Sequence, residues 1–169
     1  TNDKNDPMFR NNSLNINDLI RVEITKNASA IKQLPNKYAY SNFGYAILGR
    51  VIEKISGKSY EKFIQDEIFK PMKITNIKLA QKSELGSWND EVKYYSDTFN
   101  PYDMNVNRMD AHGGWVSSSS DFVKFMTFVD GFSNVKDILK SETIQKMITP
   151  SIQNQNYASG WAVNTNNNW

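Results

Sequence analysis

The sequence predicts an α+β fold in which helices dominate. Three observations carry this expectation. Apolar residues recur at helical spacing in several separate segments. Start and stop residues, Ser before and Gly or Pro after, bracket most of those segments. The last segment, Tyr157 to Val163, reads as an incoming strand, and no obvious sheet partner for it occurs elsewhere in the chain.

The elements follow in order. Thr1 to Asn12 is polar and reads as a loose terminus. From Leu14 to Leu34, apolar positions Leu14, Ile16, Leu19, Ile20, Ile24, Ala28 and Ile31 outline a helix, interrupted near Val22 to Thr25 by β-branched residues and ended by Pro35. From Asn42 to Ser56 the period is clearest: Phe43, Ala46, Ile47, Val51, Ile52 and Ile55 share a face, and Gly57 suits the position just past the C-terminus. Ser59 is a candidate N-cap for a helix reaching Lys70, with Phe63, Ile64, Ile68 and Phe69 on its buried face and Pro71 as the stop. Ile74, Ile77 and Leu79 suggest a short extended piece, and Tyr94, Tyr95, Phe99 and Tyr102 lie in an aromatic loop. Gly113 and Gly114 mark a tight backbone feature. Ser118 and Asp121 have capping-box spacing before Phe122, Val123, Met126 and Val129, with Gly131 closing that helix. A last short helix starts near Ser141, carries Ile144 and Ile148, and ends by Pro150.

Composition bounds the function. The 169 residues suit one domain with a real core. The net charge of +2 is too small to argue for nucleic acid or an anionic membrane. With no cysteine, disulfides, thiolate catalysis and the usual structural zinc sites are excluded. His112, the one histidine, leaves no room for a His-rich metal site. No cofactor or metal is expected. The apolar runs fall well short of a membrane span. Asp103, Asn105 and Asn107 imitate the start of a calcium loop, but Arg108 stands where Gly is needed and Gly114 where Glu is needed.

The strongest chemical constellation is Tyr40-Ser41-Asn42 at the head of the clearest helix. Acyl-transferring serine enzymes with an S-x-x-K nucleophile use S-x-N or Y-x-N as a second element and K-T-G as a third. A hydroxyl at the first position can relay a proton. A phenol, whose unperturbed pKa is near 10, serves as a base only where cations favour the phenolate. The amide of the third residue can donate to a substrate carbonyl.

The run Tyr38 to Tyr60, continuing through Ile68-Phe69-Lys70-Pro71-Met72, resembles the Y-x-N segment of class C β-lactamase-like serine hydrolases. Arg108-Met109-Asp110-Ala111-His112-Gly113-Gly114-Trp115, with Asp121 and Phe125, is similar to that family's Gly-Gly loop and following helix. Tyr157 to Val163 resembles the strand before its third motif. The resemblance implies a β-lactamase/transpeptidase-like α+β fold, of which residues 1–169 form a single partial domain, mainly its helical region. It implies Tyr40 as proton relay and Asn42 as substrate-orienting amide, with His112, Gly113 and Gly114 beside the substrate. It further implies acyl transfer through a covalent serine ester on a D-amino-acid peptide, a β-lactam or an ester, and a bacterial envelope or secreted location. Ser29/Lys32, Ser59/Lys62 and Ser133/Lys136 have S-x-x-K spacing but fall at the wrong places for the family layout, and no K-T-G occurs. The expectation is therefore that the nucleophile and the third-motif strand lie outside this segment and that the segment alone is inactive. The rival expectations are a non-catalytic module of the same fold that holds cell-wall peptide or a protein, and a self-standing helical domain.

Overall fold

The computed structural model describes residues 6–27, 37–81 and 88–164. Helix α1 spans Ile16–Asn27, α2 spans Asn42–Ser56 and α3 spans Tyr60–Ile64, the last running on into a wider π-type turn over Gln65–Phe69. Strand β1 is Lys78–Leu79, β2 is Trp115–Val116, α4 is Ser119–Thr127 and α5 is Ser141–Ile148. The strands pair antiparallel, Lys78 opposite Val116 and Leu79 opposite Trp115. The ladder extends by one bond, Ala80 N–H donating to the Gly114 carbonyl at 2.7 Å.

Local signals set most helix ends. Ser41 caps α2, its Oγ accepting from Gly44 N–H at 2.9 Å, and Gly57 closes the helix at φ +69°, where a side chain would be strained. Ser59 caps α3 by accepting from Lys62 N–H, and Ser118 caps α4 by accepting from Asp121 N–H. The expected α5 also forms between Ser141 and Ile148.

The core has two centres. Met8, Ile16, Leu19, Ala46 and Met109 form one, joining α1 and α2 to the segment before Gly113. Phe69, Met72, Ile74, Ile77 and Val129 form the other, with Trp115, Phe125 and Trp161 packed against it. Burying a side chain of this size is worth roughly 1.5–3 kcal/mol, so Met8, Leu19 and Met72, the largest fully enclosed side chains, matter most. Residues 110–114 bridge the two centres, following Met109 of the first and preceding Trp115 of the second.

Three expectations change. Residues 6–12 are anchored: Pro7–Phe9 form a 3-10 turn, Met8 is fully buried and Asp6 nearly so. What fixes them is Arg108, whose guanidinium donates to the carbonyls of Met8, Arg10, Asn11 and Leu14. Residues 1–5 lie outside the described residues. Helix α1 runs without a break through Val22 to Thr25, since burial of Leu19 and packing of Ile20 outweigh the weak penalty for β-branching, and Leu14 precedes it; Ala28 and Ile31 lie outside the described residues. Tyr157 to Val163 is a tight turn instead of a strand. Tyr157 and Ala162 form one isolated bridge, and Gly160 takes φ +86° between them. The apolar stripes of α2 and α4 stay exposed within the described residues, as a partial domain would leave them: Ile55 is 81% exposed, Phe122 56% and Val123 62%.

One glycine governs how the bridging segment sits. A Cβ on Gly49 of α2 would lie 2.6 Å from the Ala111 Cβ, so the two backbones approach as closely as glycine allows. Gly49→Ala gains helix propensity, about 1 kcal/mol, yet is expected to destabilise by about 1–3 kcal/mol from overpacking. A urea midpoint lower than that of the parent chain checks this. An unchanged or higher midpoint would mean that Ala111 moves away freely.

Candidate active site

Tyr40 and Asn42 flank Ser41, whose backbone is extended at φ −150°, ψ 105°. Side chains alternate across extended backbone, so the first and third residues of the triplet share a side while the middle one turns to cap the helix. Both line a cleft of about 280 Å³. Asn42 is 7% exposed, and its N–H donates to Asp6 Oδ2 at 3.2 Å. The other oxygen of Asp6 accepts from Met8 N–H at 2.9 Å. Asp6 thus joins the N-terminal arm to the first residue of α2.

The opposite wall is residues 110–113. The Met109 carbonyl accepts from the N–H groups of His112, Gly113 and Gly114, curling the segment into a compact turn. Gly114 must be glycine, since a Cβ there would lie 2.7 Å from the Val106 carbonyl oxygen. Asp110 Oδ2 accepts from Arg50 of α2 in a largely buried ion pair, and Arg50 also pairs with Glu53 at 3.2 Å. Trp115 Nε1 donates to the Asp110 carbonyl at 2.6 Å. Burial raises the Asp110 carboxyl above the usual carboxylate range, against the hydrogen bond and charge of Arg50. Burial likewise lowers His112 below 6.5, opposed by Asp6 and reinforced by Arg108. The imidazole is therefore neutral at pH 7, and its Nε2 is buried without a hydrogen-bond partner.

Tyrosines complete the wall. Tyr157 packs against Tyr38 at 5.5 Å and edge-on to Tyr40 at 6.1 Å between ring centroids. Tyr157 is pushed up to about 12, first by burial and then by the neighbouring phenols Tyr45, Tyr40 and Tyr38. A Cβ on Gly160 would sit 3.4 Å from the Tyr45 hydroxyl, so the turn carrying Tyr157 presses closely on α2.

Of the residues singled out from sequence, Tyr40, Asn42, His112 and Gly113 come together on this cleft, although the two pairs are distant in sequence. Gly114 lies behind the wall, buried against Val106 and Met109. Ser59 is spent as a helix cap and Ser133 is exposed, and neither lines the cleft; Ser29 and Lys32 lie outside the described residues. Asn105 gives its amide to the carbonyls of Asn12 and Leu14. Among the described residues, no group of three or more His, Asp or Glu side chains could hold a metal ion. Sequence reasoning missed Asp6, Arg50, Asp110 and Tyr157 as parts of the cleft and its supports. For Asp6 a signal existed: Asp followed by Pro suits an N-cap with Pro at the first helical position. The Arg50–Asp110 pair joins distant segments and leaves no local signature.

The family model described as Beta-lactamase matches residues 5–169. This chain belongs to the Beta-lactamase family. It is 27% identical over 158 residues to a Bacillus subtilis (strain 168) protein named for penicillin binding, PbpX, covering 90% of this chain and 38% of that protein. It is 21% identical over 179 residues to an Escherichia coli (strain K12) protein named as a D-alanyl-D-alanine carboxypeptidase, covering 86% and 39%. An N-acetylmuramyl-L-alanine amidase of Bacillus subtilis (strain 168) is 22% identical over 159 residues, covering 78% and 35%. The chain spans about two fifths of the length of the first relatives it matches. The α+β fold and the serine hydrolase-type superfamily expected from the motifs stand on this match. Within the described residues, no helix is long and apolar enough to cross a membrane.

The buried imidazole sets a pH dependence. A group whose folded pKa is depressed stabilises the fold above its unfolded value, here 6.5, and that contribution is lost as pH falls through the folded value. The urea midpoint is expected to fall between pH 7.5 and 5.5, and to fall less in His112→Gln. Identical slopes in both proteins would show that His112 is not held neutral by burial.

Proposed function

We propose that this chain supplies the proton-relay and substrate-orienting wall of a serine acyl-transfer hydrolase. The observation that supports it best is the meeting of Tyr40 and Asn42 with His112 and Gly113 on one cleft. A serine hydroxyl from outside Thr1–Trp169 attacks the substrate carbonyl, and its proton passes to a base. The leaving group departs after receiving a proton through Tyr40, and water then cleaves the acyl ester. Asn42 donates its amide to the substrate and fixes its orientation. Among the described residues, no Lys or Arg lines the cleft, so a cation that assists the phenol comes from outside that lining. The relatives' names point to D-alanyl peptides and penicillins as the substrates to try, and to the bacterial cell wall as the place of action. The second reading is a non-catalytic module that holds cell-wall peptide. It is favoured by one observation: no Ser/Lys pair at S-x-x-K spacing lines the cleft among the described residues.

The test uses the protein extended to its natural ends and treated with a fluorophosphonate or a penicillin probe. The expected adduct lies on a serine outside residues 1–169. Tyr40→Phe is expected to slow its formation about 100-fold or more, the scale of a lost general acid–base. The 169-residue chain alone is expected to form no adduct. An adduct on Ser29, Ser59 or Ser133 would overturn the assignment of the nucleophile, and no adduct in the extended protein would favour the binding module.

A further inference from the structure

A second cavity, of about 360 Å³, shares Gly113 and Trp115 with the cleft but is otherwise lined by different residues. That volume suits a small molecule. Five aromatic side chains face it: Tyr94, Tyr95, Phe99 and Tyr102 from the loop between β1 and β2, and Trp115 from β2. The acyl-transfer reading makes no use of this loop. Its rings are open to a ligand, with Tyr95 85% exposed, Phe99 58% and Tyr94 43%.

Hydrogen bonds hold part of the ring set in place. Tyr94 N–H donates to the Tyr102 hydroxyl at 3.0 Å, and the two rings meet at 6.1 Å and 65°. The Tyr94 hydroxyl donates to Glu91 Oε1 at 3.0 Å. Burial and the Glu91 carboxylate raise that phenol above its usual value, so the ring stays neutral at pH 7. Trp115 is fixed through Nε1 on the Asp110 carbonyl.

The charge around the cavity has one sign. Among the described lining residues Glu91 is the charged one. Residues 88–104 carry four carboxylates, Asp90, Glu91, Asp97 and Asp103, against one ammonium, Lys93. Lys78 of β1 does not line the cavity; its Nζ sits 4.5 Å from the Trp88 ring centroid instead. Aromatic faces with a carboxylate at the wall attract a cation, and an anion would be repelled. A primary ammonium has three N–H groups to satisfy. A lining made mostly of rings offers it few acceptors. A quaternary ammonium has no N–H and presents an apolar methyl shell, which suits such a lining.

We propose that Tyr94, Tyr95, Phe99, Tyr102 and Trp115, with Glu91, form a binding site for a quaternary ammonium group. The site goes beyond the acyl-transfer reading and does not require it.

The test uses the protein extended to its natural ends and isothermal titration calorimetry at constant ionic strength. The probes are choline chloride and 3,3-dimethylbutan-1-ol, a neutral molecule of the same shape. Choline is expected to bind about fivefold or more tighter than the alcohol. Two variants locate the site. Tyr95→Leu keeps an apolar side chain but removes a ring. Glu91→Gln keeps an acceptor for the Tyr94 hydroxyl but removes the charge. Each is expected to weaken choline several-fold with the alcohol little changed and the urea midpoint retained. No choline binding, equal binding of the two probes, or a choline preference that survives in both folded variants would overturn the inference. The serine-adduct experiment is decided independently: an adduct without choline binding rejects only this site, and choline binding without an adduct rejects only the catalysis.

Discussion

The ion pair between Arg50 and Asp110 is the contact on which the site depends. It ties the middle of α2 to the loop that carries His112 and Gly113, and both partners are largely withdrawn from water. A buried pair of this kind is weak evidence for net stability, because desolvation offsets much of the Coulomb gain. Its value here is geometric. Removing one partner would strand a charge, so the loop has one favourable position against the helix. Gly49 allows that position by letting Ala111 approach, and Trp115 holds the carbonyl of Asp110 from the far side.

A second tie works from the other end of α2. Arg108 is 3% exposed and spends its donors on backbone carbonyls of residues 8–14. That grip holds the arm bearing Asp6, and Asp6 accepts from the N–H of Asn42. The two residues of the Y-x-N triplet are thus set by a local rule, the extended Ser41, and by a long-range one. The chemistry follows from the enclosure. Burial keeps His112 neutral and Tyr157 protonated, so these groups can offer hydrogen bonds but no charge. Among the described lining residues, Asp110 is the one acidic side chain, and burial pushes its carboxyl up.

What the sequence makes legible is what local physics determines. The limits of α2, the serine caps at Ser59 and Ser118, the glycine stop at Gly57 and the helix from Ser141 all follow from patterns within one or two turns. The Tyr40–Asn42 pairing and the family match are legible for the same reason. Long-range ties are not. Nothing around Arg108 announces that it will fasten the N-terminal arm, which looks loose by composition. Tyr157 to Val163 has strand-like residues, yet Gly160 takes a left-handed conformation and folds the segment back against Tyr45. Phe122 and Val123 follow a helical period correctly, but periodicity says only that an apolar face exists, not what covers it.

The most direct measurement is a double-mutant cycle on Arg50 and Asp110, using Arg50→Met, Asp110→Asn and the double variant, with stability read by urea denaturation. If this pair docks the loop on α2, each single change destabilises, and the double variant loses less than the sum. The expected coupling is on the order of 0.5–3 kcal/mol. Strict additivity would contradict the claim, since the cleft wall would then be held in place without the contact from which the site has been built.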